Sequence, residues 1–293
     1  MKTLLIGISS PIGQSFLKAS SNRGLNVIGI SDSDTTFTGT PFHKVIECDL
    51  KDQQKLQAIC FQEWPDVLIN CLEEDEDEGK MADLNTNLPK FLSQLTHHLG
   101  TRLIHLSSNA IFDGSQSDFY RSTDKPNPQT FYGQTKLLGE KEILKNSISN
   151  PLILRIPKIL SPELETENNN FNQLVKQTAQ KLEVIQLSKH TQLQPTSSIN
   201  IADVILELCE RKDLHGIFHW AGSESISEYD LALHILRRAN IKNPEKFINL
   251  SDDSIKRNFC MELHPLNNKL KTKALSIQEL FEELDYKEPL KFN

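Results

Sequence analysis

The chain lacks any excess of basic residues. Its 32 Lys and Arg stand against 39 Asp and Glu, for a formal net charge of -7. A non-specific nucleic-acid binder needs a basic face to displace counterions, so that class is set aside. A small anionic substrate stays open, because charge inside a cleft matters more than the total. There is also no apolar run approaching the roughly 20 residues of a membrane-spanning helix. The opening MKTLLIGISSPIGQ carries one lysine and an apolar stretch too short for a secretory leader. Cys48, Cys60, Cys71, Cys209 and Cys260 are odd in number, widely spaced and without a C-x-x-C. They form no disulfide framework by pattern and fit reduced, buried thiols in a cytoplasmic protein. The nine histidines show no ligand spacing, and the adjacent His97 and His98 point to different sides of a helix. No metal site is expected, and no internal repeat is visible.

What is present is an alternation. TLLIGI, LNVIGIS, FHKVIECDL, PDVLINCL and TRLIHLSS read as five short strands, apolar almost throughout. Between them SSPIGQSFLKASSNRG, DQQKLQAICFQEW and MADLNTNLPKFLSQLTHHLG read as helices. Strands apolar on both faces and separated by helices predict a doubly wound parallel α/β sheet, with its ligand site at the carboxyl ends of the strands. YGQTKLLGEKEILK is a further helix and LILRI a sixth strand. The second half is less regular. It holds the polar PELETENNN, a helical FNQLVKQTAQKL, a strand VIQL, and helices in IADVILELCE and EYDLALHILRRA, with Ser227 as an N-cap and Asp230 three residues on. The expected division is a dinucleotide-binding domain over 1–156 and a smaller α/β substrate lobe over 157–293, with segments near 195–222 packing back on the first domain.

Between the first strand and its helix lies GISSPIG. A dinucleotide site needs a tight turn there, close backbone approach to pyrophosphate, and helix N-terminal amides aimed at it. Gly7 and Gly13 occupy the outer glycine positions of a G-x-x-G-x-x-G pattern, and Ser10 takes the middle one. Asp32, just past the second strand, suits the adenosine ribose hydroxyls. By itself the turn is a weak signal, since a tight βα connection without a ligand has the same form. No Arg or Lys follows until Lys44, so a 2′-phosphate clamp is missing and NAD(H) is preferred over NADP(H).

Ser107, Ser108 and Asn109 end the fifth strand, and Tyr132 and Lys136 lie one helical turn apart at the start of the next helix. A carbonyl reductase needs a proton donor for the developing alkoxide. A free tyrosine ionises near pH 10, and a nearby ammonium lowers that value. A serine hydroxyl can orient the carbonyl. Tyr-x-x-x-Lys alone is also a common surface pair; the serine-ended strand and the glycine turn give it weight.

Taken together, these segments resemble the extended short-chain dehydrogenases/reductases, and most closely the dTDP-4-dehydrorhamnose reductase family. LIGISSPIGQ resembles the family's opening loop, CDL its adenine-side Asp-Leu, and PDVLINC its fourth strand. LIHLSSNAIFDG and PNPQTFYGQTKLLGE resemble its most specific segments, and LILR, QLQPTSSINIADVI, GIFHWAG and HPLNNKLKTKAL follow in family order. The resemblance implies a Rossmann fold, a nucleotide-sugar substrate and hydride transfer from NAD(P)H to a C4 ketone. It implies Ser108, Tyr132 and Lys136 as catalytic residues, Tyr132 giving the proton and Lys136 holding the nicotinamide ribose. Gly7, Ser10, Ile12, Gly13, Asp49, Leu50, Cys71 and Asn85 are then expected along the cofactor. Ser108, Asn109, Ala110 and Lys158 are expected at the substrate, and a homodimer is the family's habit.

The chain departs from the family in Ser10, in Asn109-Ala110 for an Asp-Tyr, in Lys158 for an aromatic and in His264 for an arginine. LEEDE replaces an uncharged loop, so Glu73 and Glu74 are expected near a pyrophosphate, which is unfavourable unless they point away. The whole run EEDEDEGK is expected to be a solvated loop. Two other functions remain beside the reductase. One is a non-catalytic dinucleotide-binding regulatory subunit, as in the β subunit of methionine adenosyltransferase, which is similar to the same reductases. The other is a sugar-nucleotide epimerase of the same fold.

Overall fold

The computed structural model describes residues 1–31, 43–145, 150–161, 184–238, 240–251 and 255–284. Asp32, all of PELETENNN and all of FNQLVKQTAQKL lie outside the described residues.

The apolar strands line up side by side because each needs cover on two faces. β1 (Lys2–Ile6), β2 (Asn26–Ser31), β3 (His43–Glu47), β4 (Val67–Asn70), β5 (Arg102–Ser108) and β6 (Leu152–Ile156) form one sheet, joined later by Gly216–His219. The spatial order is β3-β2-β1-β4-β5-β6 and then Gly216–His219, with every pairing parallel. The order reverses between β1 and β4, and a crevice opens at the carboxyl ends of such a pair.

Alternate side chains divide the core in two. Leu5, Val27, Ile69, Ile104 and Leu154 face α1 (Pro11–Asn22) and a helix at Ser198–Glu210. Leu4, Ile6, Ile30, Leu68, Leu103 and Ile153 face α2 (Gln53–Glu63), α4 (Leu88–Leu99) and α5 (Phe131–Lys145). The period-2 alternation of a strand thus serves both helical layers at once. α3 (Glu78–Ala82) runs into α4 through a π-helical segment at Asp83–Asn87. The sequence shows one continuous helix there and gives no warning of the widened turn.

Beyond β6 the chain builds β7 (Ile159–Leu160), β8 (Ile185–Leu187), β9 (Thr191–Leu193) and β10 (Thr196–Ser197). It then returns to the main sheet with α6 (Ser198–Glu210) and β11 (Gly216–His219). β12 (Ile226–Ser227) leads into α7 (Glu228–Arg238), and α8 (Leu266–Lys269) precedes α9 (Ile277–Glu283). Leu160, Leu187, Leu231, Leu236, Leu280 and Phe281 form a separate apolar cluster under α7 and α9. The Ser227 hydroxyl accepts the Asp230 amide at 3.0 Å, the N-cap expected for α7. No helix among the described residues is long and apolar enough to cross a membrane.

Candidate active site

The turn after β1 is built from its own atoms. Gly7 has φ +89°, and a Cβ there would lie 2.7 Å from the Leu72 amide nitrogen. Gly13 admits no Cβ either, since one would fall 2.1 Å from the Gly7 carbonyl oxygen. Ser10 is the N-cap of α1: its hydroxyl accepts the Gly13 amide at 3.0 Å and donates to the Gly7 carbonyl at 2.7 Å. It also lies 3.7 Å from the Cys71 thiol. The hydroxyl is therefore turned into the loop. Ile12 is buried at the start of α1. Cys71 lies beneath the turn, its thiol donating to the Ile6 and Gly7 carbonyls at 3.1 and 3.4 Å. Burial pushes that thiol up to about 12. Asp49 is exposed past β3 and accepts the Lys51 amide, while Leu50 is buried against the α2–α4 layer.

On the other side of the switch point, β5 delivers Ser108 and α5 delivers Tyr132 and Lys136. Two glycines let α5 approach. A Cβ on Gly133 would lie 2.2 Å from the Ala110 carbonyl oxygen, and one on Gly139 would lie 2.2 Å from that of Asn85. The Y-G-x-x-K-x-x-G spacing is thus a packing requirement as well as a chemical one. Ser108 accepts the Ala110 amide at 3.2 Å, and its hydroxyl stands close enough to Tyr132 to lower the phenol. Lys136 is 1% exposed and donates to the Leu106 carbonyl on β5 at 2.8 Å. Glu140, one turn further, forms a two-pronged buried ion pair with Arg155 of β6 at 2.9 and 2.7 Å.

The acidic run is largely exposed, as its composition predicts, but its first two residues are tied down. Tyr132 donates its hydroxyl proton to Glu73 Oε2 at 2.9 Å. The Asn85 side chain clamps the next residue from both ends, accepting the Glu74 amide at 3.1 Å and donating to the Glu74 carbonyl at 2.7 Å. It also donates to Thr135 Oγ1 at 3.1 Å, tying the π segment to α5. π segments often mark functional positions, and here the widened turn carries Asn85. The Glu74 carboxylate curls onto the amides of Glu76 and Asp77, both at 3.0 Å, and Asp77 caps α3. A like-charged run can fold here because backbone and side-chain donors take up its carboxylates.

These neighbours set the electrostatics. Desolvation, then the Glu73 charge, drive the Tyr132 phenol well above its ordinary value of 10, against the lowering hydrogen bond from Ser108. Burial lowers the Lys136 ammonium, and Glu73, Glu140, Cys71 and Asp75 act in the opposite sense. The site therefore holds a neutral phenol between a hydroxyl and a carboxylate, with a buried amine one turn away.

Asn109 donates its side-chain amide to the Phe259 carbonyl at 3.0 Å, and Ala110 is half-buried in the short 3-10 turn after β5. Lys158 is exposed after β6. Asp113 of the IFDG segment accepts from Tyr120, Asn127 and Ser115, which holds its carboxyl far below the usual range. It organises the loop before α5. His105 packs inside the sheet against Asn70. Among the described residues, no group of three His, Cys, Asp or Glu side chains could hold a metal ion. Glu73 is the residue that sequence reasoning treated only as an obstacle. The available sign was its place two residues beyond Cys71, at the carboxyl end of β4, where the strand order reverses.

Methionine adenosyltransferase 2 subunit beta of Bos taurus is 27% identical over 208 residues, which is 68% of this chain and 62% of that protein. The chain thus matches less than two thirds of that relative's length. A solved structure described as a hypothetical dTDP-4-dehydrorhamnose reductase of Sulfolobus tokodaii is 26% identical with a TM-score of 0.78, covering 94% of this chain and 97% of that one. The dTDP-4-dehydrorhamnose reductase of Bacillus anthracis, solved in complex with NADP, shares the fold at 16% identity and a TM-score of 0.81, covering 97% and 98%. Residues 1–291 match the family described as the RmlD substrate binding domain, and the chain belongs to that family of extended short-chain dehydrogenase/reductase folds.

Proposed function

We propose that this protein is an NAD(P)H-dependent reductase of a 4-keto nucleotide sugar, acting in the cytoplasm. The observation that carries the reading is the convergence of Ser108 at the end of β5 with Tyr132 and buried Lys136 at the start of α5, beside the β1–β4 switch point. The donor set suits a nicotinamide dinucleotide. Gly7 and Gly13 keep the backbone turn tight, Ser10 is folded inward, and Lys136 has a buried ammonium with donors to spare beyond Leu106. When bound, the reduced dinucleotide supplies the hydride.

The chain's own residues do the rest. Ser108 orients the substrate carbonyl by donating to its oxygen. Tyr132 protonates that oxygen as negative charge develops on it, and the Lys136 ammonium stabilises the resulting phenolate. Asn109, Ala110 and Lys158 are the positions from which a changed sugar would be selected, and the lobe carrying α7 and α9 completes the substrate side. The missing basic residue after β2 favours NAD(H). Similarity to reductases of dTDP-linked sugars supports that substrate class.

A second reading has its own support. The 2.9 Å bond from Tyr132 to Glu73 opposes phenolate formation, and the bovine relative is named as a subunit of another enzyme. A regulatory dinucleotide-binding subunit accommodates both facts. The deciding experiment begins with NADH and NADPH titrations of the purified protein by nicotinamide fluorescence. A screen of 4-keto nucleotide sugars follows, with Tyr132→Phe as the control. A reductase turns over at least one of them and loses about 10²–10⁴-fold in the variant while keeping cofactor. A protein that binds dinucleotide but reduces none of them is the regulator.

A further inference from the structure

Glu73 introduces a negative charge at the place where the reactive end of a dinucleotide has to lie. Its Oε2 accepts the Tyr132 hydroxyl at 2.9 Å, and its neighbour Glu74 is held by Asn85 through both backbone groups, so the carboxylate is anchored. The other charges around the tyrosine do not cancel it. Glu140 is matched by Arg155 in the buried pair, and Glu74 is turned onto its own loop amides. Lys136 contributes one positive charge, and Glu73 and Asp75 both act on it.

Hydride transfer fixes how close the nicotinamide comes. The carbonyl oxygen that takes the Tyr132 proton must lie within hydrogen-bond reach of the phenol, and the carbon beside it about 3–3.5 Å from the hydride-bearing ring carbon. A ring so held would come to about 6 Å from the Glu73 carboxylate, which is 2.9 Å from the Tyr132 hydroxyl. Oxidised nicotinamide is a cation and reduced nicotinamide is neutral. A unit charge about 6 Å away, at an effective dielectric of about 40 for a partly enclosed cleft, separates the two by about tenfold in affinity.

We propose that Glu73 makes this site selective for the redox state of its dinucleotide, holding the oxidised form in preference to the reduced one. The inference rests on the dinucleotide site proposed above but not on turnover. In a reductase it makes release of oxidised cofactor slow; in a regulatory subunit it makes occupancy follow the oxidised pool.

The test is a set of dissociation constants. NAD⁺ and NADH, and NADP⁺ and NADPH in parallel, are titrated into wild type and Glu73→Gln by calorimetry at neutral pH and low salt. Glutamine keeps an acceptor for Tyr132 and removes the charge. The expected result is that the preference for the oxidised form falls about tenfold in the variant. The same preference in the wild type should shrink as salt is raised, a readout that needs no mutation. An oxidised-to-reduced ratio unchanged to within about twofold in Glu73→Gln, with both forms still binding, overturns this inference and leaves the dinucleotide site standing. Failure of all four dinucleotides to bind wild type overturns the site itself and this inference with it.

Discussion

The hydroxyl of Tyr132 donates a 2.9 Å hydrogen bond to Glu73, so the residue placed to give up a proton is already engaged by a carboxylate. The pairing joins the start of α5 to the end of β4 across 59 residues of sequence. It keeps the phenol protonated throughout the neutral range, because a phenolate would have to form beside a negative charge.

Replacing Glu73 with glutamine removes that charge and keeps the geometry. The Tyr132 phenol then ionises at lower pH than in the wild type. Tyrosine Cζ chemical shifts followed by ¹³C NMR report the change, with Tyr132→Phe identifying the resonance among four tyrosines. An unmoved titration would mean that the carboxylate is not held against the ring in solution.

Gly13→Ala is expected to be costly. Its methyl group would meet the Gly7 carbonyl oxygen at 2.1 Å, a backbone atom fixed by the turn. The chain should lose about 2–3 kcal/mol of stability in urea unfolding, together with dinucleotide binding. Gly7 has the same kind of constraint against the Leu72 amide, compounded by its positive φ.

Glu140 and Arg155 are each about as buried as the core around them, with side chains 2% and 3% exposed. Glu140→Ala leaves an uncompensated guanidinium inside the protein and should cost about 3–5 kcal/mol. The double replacement Glu140→Leu with Arg155→Met should cost markedly less, because no charge is then stranded. Chemical denaturation of the wild type and the two variants gives the comparison. A near-neutral Glu140→Ala would show that the pair is not buried as described.

His219 is buried neutral. Desolvation and the neighbouring Arg155 bring its imidazole down to about 3, from an ordinary 6.5. The unfolded chain binds a proton there below about pH 6.5 and the folded chain does not, so folding stability is full above that pH. It falls by about 1.4 kcal/mol per pH unit as the solution is acidified from 6.5 towards 3. His105 is lowered in the same direction and steepens the decline. Unfolding free energies measured between pH 4 and 8 should show a shallower slope in His219→Gln.

The layered sheet and its first six strands were legible because they depend on local pattern. Uniformly apolar runs require burial on two faces, and helices between them require parallel pairing. Ser108, Tyr132 and Lys136 were legible for a related reason: the end of an apolar strand and the first turn of a helix are positions a sequence marks by itself. Gly7 and Gly13 were visible as residues, although which atoms they make room for was not.

Other features depended on contacts between distant segments. The direction of the Ser10 hydroxyl was one such feature: it finds Gly7 and Gly13 within the turn and Cys71 beneath it. The six consecutive acidic residues at 73–78 look solvated by composition, since like charges repel, and all but Glu74 and Asp75 are exposed. The fold supplies Asn85 from a π turn and Tyr132 from α5, and these donors outweigh the repulsion. The sequence by itself determined that a parallel sheet would carry a serine, a tyrosine and a lysine to one end of its strands. Only the tertiary structure decided that a carboxylate would stand among them, because hydrogen bonds between side chains remote in sequence follow from packing and leave no periodic trace in the chain.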